Sequence, residues 1–201
     1  MTSQAARSEA TRRKLVAVAR TEFAAKGYAE ASTEAIVKTA DVTRGALYHH
    51  YKDKRALFCA VVDELGREIS ALMTARAAEK RTPWEALLAG CLAFIELSAK
   101  PDVQRIYLQD APAVVGWKEW RTIDQAGAIG FLERTLTQGL AGASRAKQGT
   151  PTVLAHMIAG ALRAAARAIP TADDPKAVKS EIDRATLILL MGLREQYAPA
   201  D

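Results

Sequence analysis

The sequence contains no asparagine and only two cysteines, and each scarcity excludes a class of protein. Without asparagine there is no acceptor for N-linked glycosylation. Cys59 and Cys91 lie far apart in apolar surroundings, which excludes a disulfide-rich framework and a thiolate zinc site. We expect both cysteines to be packed as small apolar side chains.

Aromatic residues make up only 6% of the 201 residues, and long apolar runs are also missing. The most strongly apolar run, Leu187–Leu193, is far shorter than the roughly 20 residues that a membrane-spanning helix needs. The first 14 residues lack the apolar core of a signal peptide. These absences predict a cytoplasmic protein with no membrane association.

What the sequence does contain is typical of helices. Apolar residues make up 49%, alanine is abundant, and apolar positions recur every three or four residues. No segment alternates with a period of two. A capping residue precedes proline at Thr82, Thr150 and Asp174, which is typical of helix starts. We therefore predict an all-α fold of about nine helices: 9–26, 33–40, 44–50, 54–79, 83–99, 101–110, 117–141, 151–168 and 175–196.

The positive charge lies in one part of the chain. Residues 1–60 contain 11 Lys and Arg against 6 Asp and Glu, whereas residues 61–201 contain 17 of each kind. The whole excess of +5 therefore belongs to the first third of the sequence. A basic module joined to a neutral body indicates that the module binds a polyanion.

Two short helices are predicted within residues 33–58. Thr33 is expected to cap a helix, Asp41 and Val42 end it, and Thr43 caps a second helix from Arg44 to His50. A helix, a short turn and a second helix form a helix-turn-helix pattern. Because these helices are too short to be stable alone, we expect them to pack on a common apolar floor. That floor consists of Leu15, Ala19, Phe23, Leu57 and Phe58.

The second of these helices has the chemistry of a helix that reads DNA. A helix about 10–12 Å across fits the major groove, which is roughly 12 Å wide. Arg44 can bind guanine through two hydrogen bonds, the Ala46 methyl can touch a thymine methyl, and the small Gly45 permits close approach. The remaining donors suit phosphate oxygens. These are Thr33, Thr43, Tyr48, His49, His50 and Lys54.

The stretch from Ile36 to Phe58, IVKTADVTRGALYHHYKDKRALF, resembles the DNA-binding motif of the tetracycline-repressor (TetR) family of bacterial transcription regulators. Asp41 stands where the family usually has glycine, and we expect the turn to survive because aspartate tolerates the left-handed region. The resemblance implies that Arg44, Gly45 and Ala46 contact bases and that the six donors named above contact phosphates. It also implies a DNA-binding domain at residues 1–53 and a regulatory and dimerisation domain at 54–201.

The last two predicted helices are candidates for a homodimer interface, because helix-turn-helix proteins commonly bind palindromic sites as two-fold dimers. The same arrangement is implied by the resemblance. The alternative is that both helices are buried within one chain. The predicted interface residues are Leu162, Ala165, Ile182, Leu189 and Leu193.

Aromatic residues interspersed with polar ones in the middle of the chain are typical of a small-molecule site. The resemblance implies that this site binds an effector, and the alternative is that these residues are ordinary core. The predicted pocket residues are Trp84, Phe94, Tyr107, Asp110, Trp117, Trp120, Arg121, Phe131 and His156.

Two other functions compete with gene regulation. An enzyme is disfavoured because the sequence has no phosphate-binding glycine loop in a strand context, no nucleophile elbow and no histidine pair with metal-ligand spacing. We therefore expect no catalytic residues, no metal and no cofactor. A protein that binds DNA without sequence choice remains the second alternative. The favoured prediction is a dimeric repressor that binds a palindromic operator and is released by a small-molecule effector.

Overall fold

The computed structural model describes residues 4–140 and 150–197, and within these ranges the chain is helical without a β-strand. The all-α prediction is therefore confirmed for the described chain. Two irregular segments accompany the α-helices: a π-helical stretch at Val103–Asp110 and a 3₁₀ turn at Ile169–Thr171. The α-helices are α1 (Gln4–Glu30), α2 (Thr33–Thr39), α3 (Arg44–His50), α4 (Lys54–Ala78), α5 (Pro83–Ser98), α6 (Ala111–Val115), α7 (Trp117–Ala126), α8 (Ala128–Gly139), α9 (Thr150–Ala168) and α10 (Pro175–Tyr197).

The described residues form two compact units, and each unit combines segments that are separate in the sequence. The first unit joins the residues up to 65 with residues 101–120, and the second joins residues 66–100 with the described residues from 121 onward. The predicted DNA-binding domain, residues 1–53, is defined by its sequence motif and not by packing. Its boundary at residue 53 stays a prediction.

The core of the first unit contains the predicted apolar floor. Phe23 and Phe58 are fully buried, and their rings meet edge to face with centroids 5.0 Å apart. Leu15, Ala19 and Leu57 are also 0% exposed, so the prediction of a common floor is confirmed. Each large side chain buried in this way contributes roughly 1.5–3 kcal/mol, and this burial holds α2 and α3 in place.

The second unit is a bundle in which α8 packs against α5 and α9. The predicted capping box at the start of α5 is present: the Thr82 hydroxyl accepts from the Glu85 N–H at 3.2 Å, and the Glu85 carboxylate accepts from the Thr82 N–H at 3.1 Å. Asp174 caps α10 by accepting from the N–H groups of residues 176 and 177. The third predicted cap, Thr150, begins α9, but its side chain lies outside the described residues.

Three predicted helices differ from the observed ones. The helix predicted at 117–141 is divided at Gly127, whose φ of −97° and ψ of −120° are not helical. A Cβ on Gly130 would overlap the backbone carbonyl of Gln125, so the glycine permits a close corner between α7 and α8. The last predicted residue of that helix, 141, lies outside the described residues.

The helix predicted at 9–26 begins earlier and ends later than expected. It starts at Gln4 and continues past a kink at Gly27, where φ is +75°. The predicted helix 101–110 is mostly π-helical and continues into α6, which ends at Gly116 with φ of +86°. Glycine relieves the strain of a positive φ at both positions, and a periodicity argument does not detect either irregularity.

Candidate nucleic-acid interface

The first helix of the predicted DNA-binding motif is capped by Ser32. The Ser32 hydroxyl accepts a hydrogen bond from the Ala35 N–H at 3.3 Å, and Ser32 has an extended backbone. The prediction that Thr33 caps this helix is therefore wrong. Thr33 is already helical, and its hydroxyl donates instead to the Glu34 carboxylate at 3.3 Å. Adjacent Ser and Thr residues compete for this role, and sequence alone does not decide between them.

The turn between α2 and α3 depends on Asp41, which is the single described residue other than glycine with a positive φ, +50°. The N–H of Val42 bonds to the Val37 carbonyl at 3.1 Å, which closes the end of α2. This pattern of a left-handed residue followed by a returning hydrogen bond is a common helix ending. The expectation that the turn survives aspartate in place of glycine is confirmed.

The second helix, α3, begins at the residue predicted. The Thr43 hydroxyl accepts from the Ala46 N–H at 3.1 Å, so the prediction of a threonine cap is confirmed. Leu47 is 0% exposed and anchors the helix, and the Tyr51 N–H bonds to the Leu47 carbonyl at 2.8 Å. A helix of seven residues is thus held by one cap, one buried leucine and one closing hydrogen bond.

The outer face of α3 is exposed. Arg44, Gly45, Tyr48 and His49 are exposed. A Cβ added to Gly45 would meet only the Thr43 hydroxyl, at 3.8 Å, so packing within the described residues does not require glycine there. A glycine that internal packing does not require is consistent with close approach of an external surface. The base and phosphate contacts themselves stay predictions.

Arg44, the residue predicted to read guanine, already has two neighbours. Its NH1 atom lies 3.4 Å from Oε1 of Glu34, and its guanidinium carbon lies 5.5 Å from the centre of the Tyr48 ring. Hydrogen bonds from the Glu34 backbone N–H and the Ser32 hydroxyl lower the pKa of the Glu34 carboxyl group. Glu34 is therefore an anion on the face that is predicted to meet DNA, and no pattern in the sequence indicates it.

Lys54 has a structural role that the sequence did not reveal. Its Nζ donates to the carbonyls of Ala29 at 3.1 Å and Ala31 at 3.0 Å, and it lies 4.7 Å from the centre of the Tyr28 ring. The lysine thus ties the start of α4 to the end of α1. The predicted phosphate contact of Lys54 stays a prediction.

The remaining predicted phosphate contacts also lie on or beside α3. Thr43 is exposed, although its hydroxyl already caps the helix, and His50 is half-buried. The rings of His49 and His50 meet edge to face with centroids 5.3 Å apart. Thr33 is half-buried at the start of α2. The structure thus brings all of these donors to the two short helices and the segments beside them.

Residues 101–120 are tied to the motif-bearing unit by charged groups, which sequence reasoning missed. Arg20 on α1 pairs with Asp102 at 2.6 Å, and Asp110 accepts from the Tyr28 N–H at 2.7 Å. Arg55 on α4 donates to the carbonyl of Val114 at 3.1 Å and pairs with Glu119 at 2.8 Å. Their partners lie about 60 to 80 residues away along the chain, so no local pattern signals these contacts.

The predicted pocket residues fall in both units. Tyr107 and Trp120 belong to the first unit, where they are buried and pack edge to face with centroids 4.7 Å apart. Asp110 also belongs to the first unit, and Trp117 begins α7, although its side chain lies outside the described residues. The pocket built from these residues stays a prediction. Its second-unit members are Trp84 (half-buried), Phe94 and Phe131 (buried), and Arg121 and His156 (exposed).

A cavity of about 530 Å³ lies elsewhere in the second unit, beside the end of α4, α5 and the start of α10. Leu88 and Leu92 contribute to its lining, together with charged side chains that include Lys80. The ion pair between Arg76 and Glu96, at 3.4 Å, belongs to the same lining. The arrangement combines apolar contact with ionised groups, as small-molecule sites do.

The predicted dimer residues lie on α9 and α10, where a groove of about 140 Å³ separates the two helices. Leu162, Ala165, Ile182 and Leu189 line this groove, and Leu193 is half-buried on α10. The surface beside the groove is apolar. Its exposed members are Val153, Met157, Leu187, Ile188, Leu189 and Met191, with Ile188 the most exposed at 71%.

Comparison with known proteins finds that two family models match different parts of the chain. A family model described as bacterial regulatory proteins, tetR family, matches residues 15–61. A second model, described as tetracyclin repressor-like, C-terminal domain, matches residues 84–193. The first of these spans the helix-turn-helix, and the second spans α9 and most of α10.

Individual relatives are similar over different extents. The TetC protein of transposon Tn10 from Escherichia coli is 30% identical over 115 residues, and the HTH-type transcriptional repressor Rv1474c of Mycobacterium tuberculosis is 32% identical over 121 residues. These matches cover 57% and 59% of this chain and span 58% and 62% of the two relatives. The crystal structure of a TetR-family transcriptional regulator from Pectobacterium atrosepticum is 33% identical, with a TM-score of 0.73, and 96% of this chain and 97% of that chain are covered.

Proposed function

Because this chain belongs to the tetR family of bacterial regulatory proteins, we propose that it is a repressor of transcription that binds a palindromic DNA operator as a homodimer. The observation that carries the proposal is the exposed outer face of α3, with Arg44 on it and Leu47 buried beneath it. Family membership also confirms the prediction that the chain is not an enzyme.

Reading of DNA by α3 is supported by its length and its side chains. A helix of seven residues, about 10 Å long, enters one major groove and reads only a few base pairs. Arg44 supplies the bidentate donor that guanine accepts, and the exposed Tyr48 and His49 suit phosphates. A second copy of α3, roughly 34–36 Å or a little further along the duplex, supplies the rest of the specificity.

Selection of bound sequences from random duplex DNA tests this proposal most directly. We expect a palindrome whose half-sites are one helical turn or slightly more apart. The regulator should prefer that site over random DNA by 10³ or more. Enrichment of no sequence, together with equal binding to operator-like and random duplexes, would favour the alternative of a DNA-binding protein without sequence choice.

The homodimer is supported by the apolar surface on α9 and α10. Six large apolar side chains are exposed there, including Met157 at 65% and Ile188 at 71%. The stretch Pro151–Thr171 is long and apolar enough to cross a membrane by length and composition: 18 of its residues have a mean hydropathy of 1.2, and 33% of this part is buried. In a tetR-family chain, we assign this uncovered surface to a second copy of the protein. A mass in solution near 21.7 kDa at micromolar concentration would contradict the assignment.

Control by a small molecule is the third part of the proposal, and the cavity beside α5 supports it. A molecule with an apolar body and an ionised group would match Leu88 and Leu92 together with Lys80 or Arg76. We expect such a ligand to favour a conformer with weaker operator affinity, a coupling of typically 1–3 kcal/mol. Repression rather than activation is supported by the similarity to Rv1474c, which is named a repressor.

A thermal-shift screen followed by an operator-release assay tests the effector. We expect a compound that raises the melting temperature to release the operator as well. Leu88→Trp, which fills the cavity, should remove both effects, whereas Ala75→Trp at an exposed α4 position outside the cavity lining should keep both. A compound that still acts on the Leu88→Trp protein binds elsewhere, and the predicted aromatic residues are then the next candidates.

A further inference from the structure

A single carboxylate contacts two of the side chains that are predicted to contact DNA. Oε1 of Glu34 lies 3.4 Å from NH1 of Arg44, and Oε2 accepts from the hydroxyls of Thr33 at 3.3 Å and Ser32 at 2.9 Å. Arg44 is the predicted reader of guanine, and Thr33 is a predicted phosphate contact. The carboxylate therefore occupies part of the surface that DNA would use.

The pair between Glu34 and Arg44 is formed at the surface and is readily exchanged. The two side chains are 65% and 67% exposed, and exposed ion pairs contribute little to stability. A carboxylate presents two hydrogen-bond acceptors to a guanidinium group, as guanine does with its O6 oxygen and N7 nitrogen. A guanine in the right register offers two aligned acceptors, which makes it a stronger partner than one exposed carboxylate oxygen.

We propose that Glu34 is a specificity-determining residue. Its carboxylate pairs with Arg44 until a correctly placed guanine takes the place of the carboxylate. The inference rests on the proposed function, because it requires that α3 meets DNA. On random DNA, Arg44 stays paired with Glu34 and releases no counterion from the duplex. On the operator, Arg44 exchanges the carboxylate for guanine, so the exchange takes place only at the right sequence.

Four proteins test this role: wild type, Glu34→Gln, Arg44→Ala and the double variant, with Glu30→Gln as the matched control. Glutamine keeps an oxygen that can accept from Ser32 and Thr33, so the start of α2 should persist. Glu30 is an exposed glutamate at the end of α1 in the same unit, and its substitution makes the same change of charge. Affinity is measured on the selected operator and on a random duplex of equal length, over a range of salt concentrations.

We expect Glu34→Gln to raise affinity for random DNA more than affinity for the operator. On random DNA, the freed Arg44 gains a phosphate contact, so the slope of log affinity against log salt should steepen by about 0.9. The operator-to-random preference should fall by roughly two- to fivefold, the range that one exposed ion pair covers. In the Arg44→Ala background, removing the Glu34 charge should change both affinities by the same factor.

Two outcomes would overturn the inference and leave the proposed function intact. One is an equal effect of Glu34→Gln and Glu30→Gln, which would show a general effect of charge. The other is an unchanged effect of Glu34→Gln when Arg44 is absent. If thermal unfolding shows that Glu34→Gln is misfolded, Glu34→Ala takes its place in the same cycle. Failure of the wild-type protein to bind any duplex would instead reject the proposed function, and the inference with it.

Discussion

The outer faces of α3 and α10 are both uncovered, but their chemistry is opposite. The face of α3 presents Arg44, Tyr48 and His49, whereas that of α10 presents Ile188 at 71% and Leu189 at 51% exposure. A cationic and aromatic face is stable in water and attracts a polyanion. Exposing an apolar face of several large side chains to water costs free energy, so such a face requires a partner surface. Exposure alone therefore does not identify a partner; the chemistry of the exposed side chains does.

The largest expected effect comes from placing a charge on the apolar face. Ile188→Asp would bury an unpaired carboxylate in the proposed dimer interface, which is strongly unfavourable. We expect the mass in solution to fall to that of one chain. Operator affinity should fall by about 10²–10⁴, because two linked recognition helices bind far more tightly than one. Sedimentation and an operator-binding assay measure the two effects on the same sample.

Ser180→Asp is the matched control for that substitution, since Ser180 is also exposed on α10 but lies outside the exposed apolar cluster. It should leave both the mass and the operator affinity near those of the wild type. If Ile188→Asp stays dimeric and binds the operator normally, the apolar face is not the dimer interface and has another partner.

The next largest effect is expected on the outer face of α3. Arg44→Ala should cost about 1–3 kcal/mol on the operator, because one bidentate contact to guanine is lost. Affinity for random DNA should change much less. Lys52→Ala, which removes an exposed cation just beyond α3, should instead act on all sequences alike. Equal losses for Arg44→Ala on the operator and on random DNA would show that Arg44 contacts the backbone rather than a base.

Features that depend on residues close together in the chain could be predicted from sequence. Helix starts that depend on neighbouring residues were predicted correctly at Thr43 and Thr82, because a capping hydrogen bond spans only three residues. The left-handed turn at Asp41 was also predictable, since few residues other than glycine tolerate that conformation. Buried positions such as Phe23 and Phe58 followed from the apolar periodicity.

Contacts between residues distant in sequence were not predictable. Nothing near Arg55 indicates that it pairs with Glu119, and nothing near Lys54 indicates that it bonds to the Ala29 and Ala31 carbonyls. The division of one long helix at Gly127 was missed for a related reason. Glycine lowers helix propensity by only about 1 kcal/mol, so whether it ends a helix depends on the surrounding packing.

A third, smaller effect distinguishes the two candidate caps of α2. Ser32→Ala should lower the free energy of unfolding by about 1 kcal/mol, because the Ala35 N–H loses its acceptor. Thr33→Ala should change it by roughly half of that or less, since Thr33 caps no backbone N–H in the described structure. Denaturant unfolding of both variants, with Thr43→Ala as the positive reference, measures these differences. A larger loss for Thr33→Ala than for Ser32→Ala would restore the threonine as the cap.

At Lys54, the structural role and the predicted DNA-binding role can be measured separately. Lys54→Ala removes two hydrogen bonds to the end of α1 and one predicted phosphate contact. We expect a lower melting temperature and a slope of log affinity against log salt that is shallower by about 0.9 on every sequence. Lys38→Ala, an exposed lysine on α2, should leave the melting temperature unchanged. If Lys54→Ala lowers the melting temperature but keeps the wild-type salt slope, the lysine serves only to hold α1 against α4. It then makes no contact with the DNA phosphates.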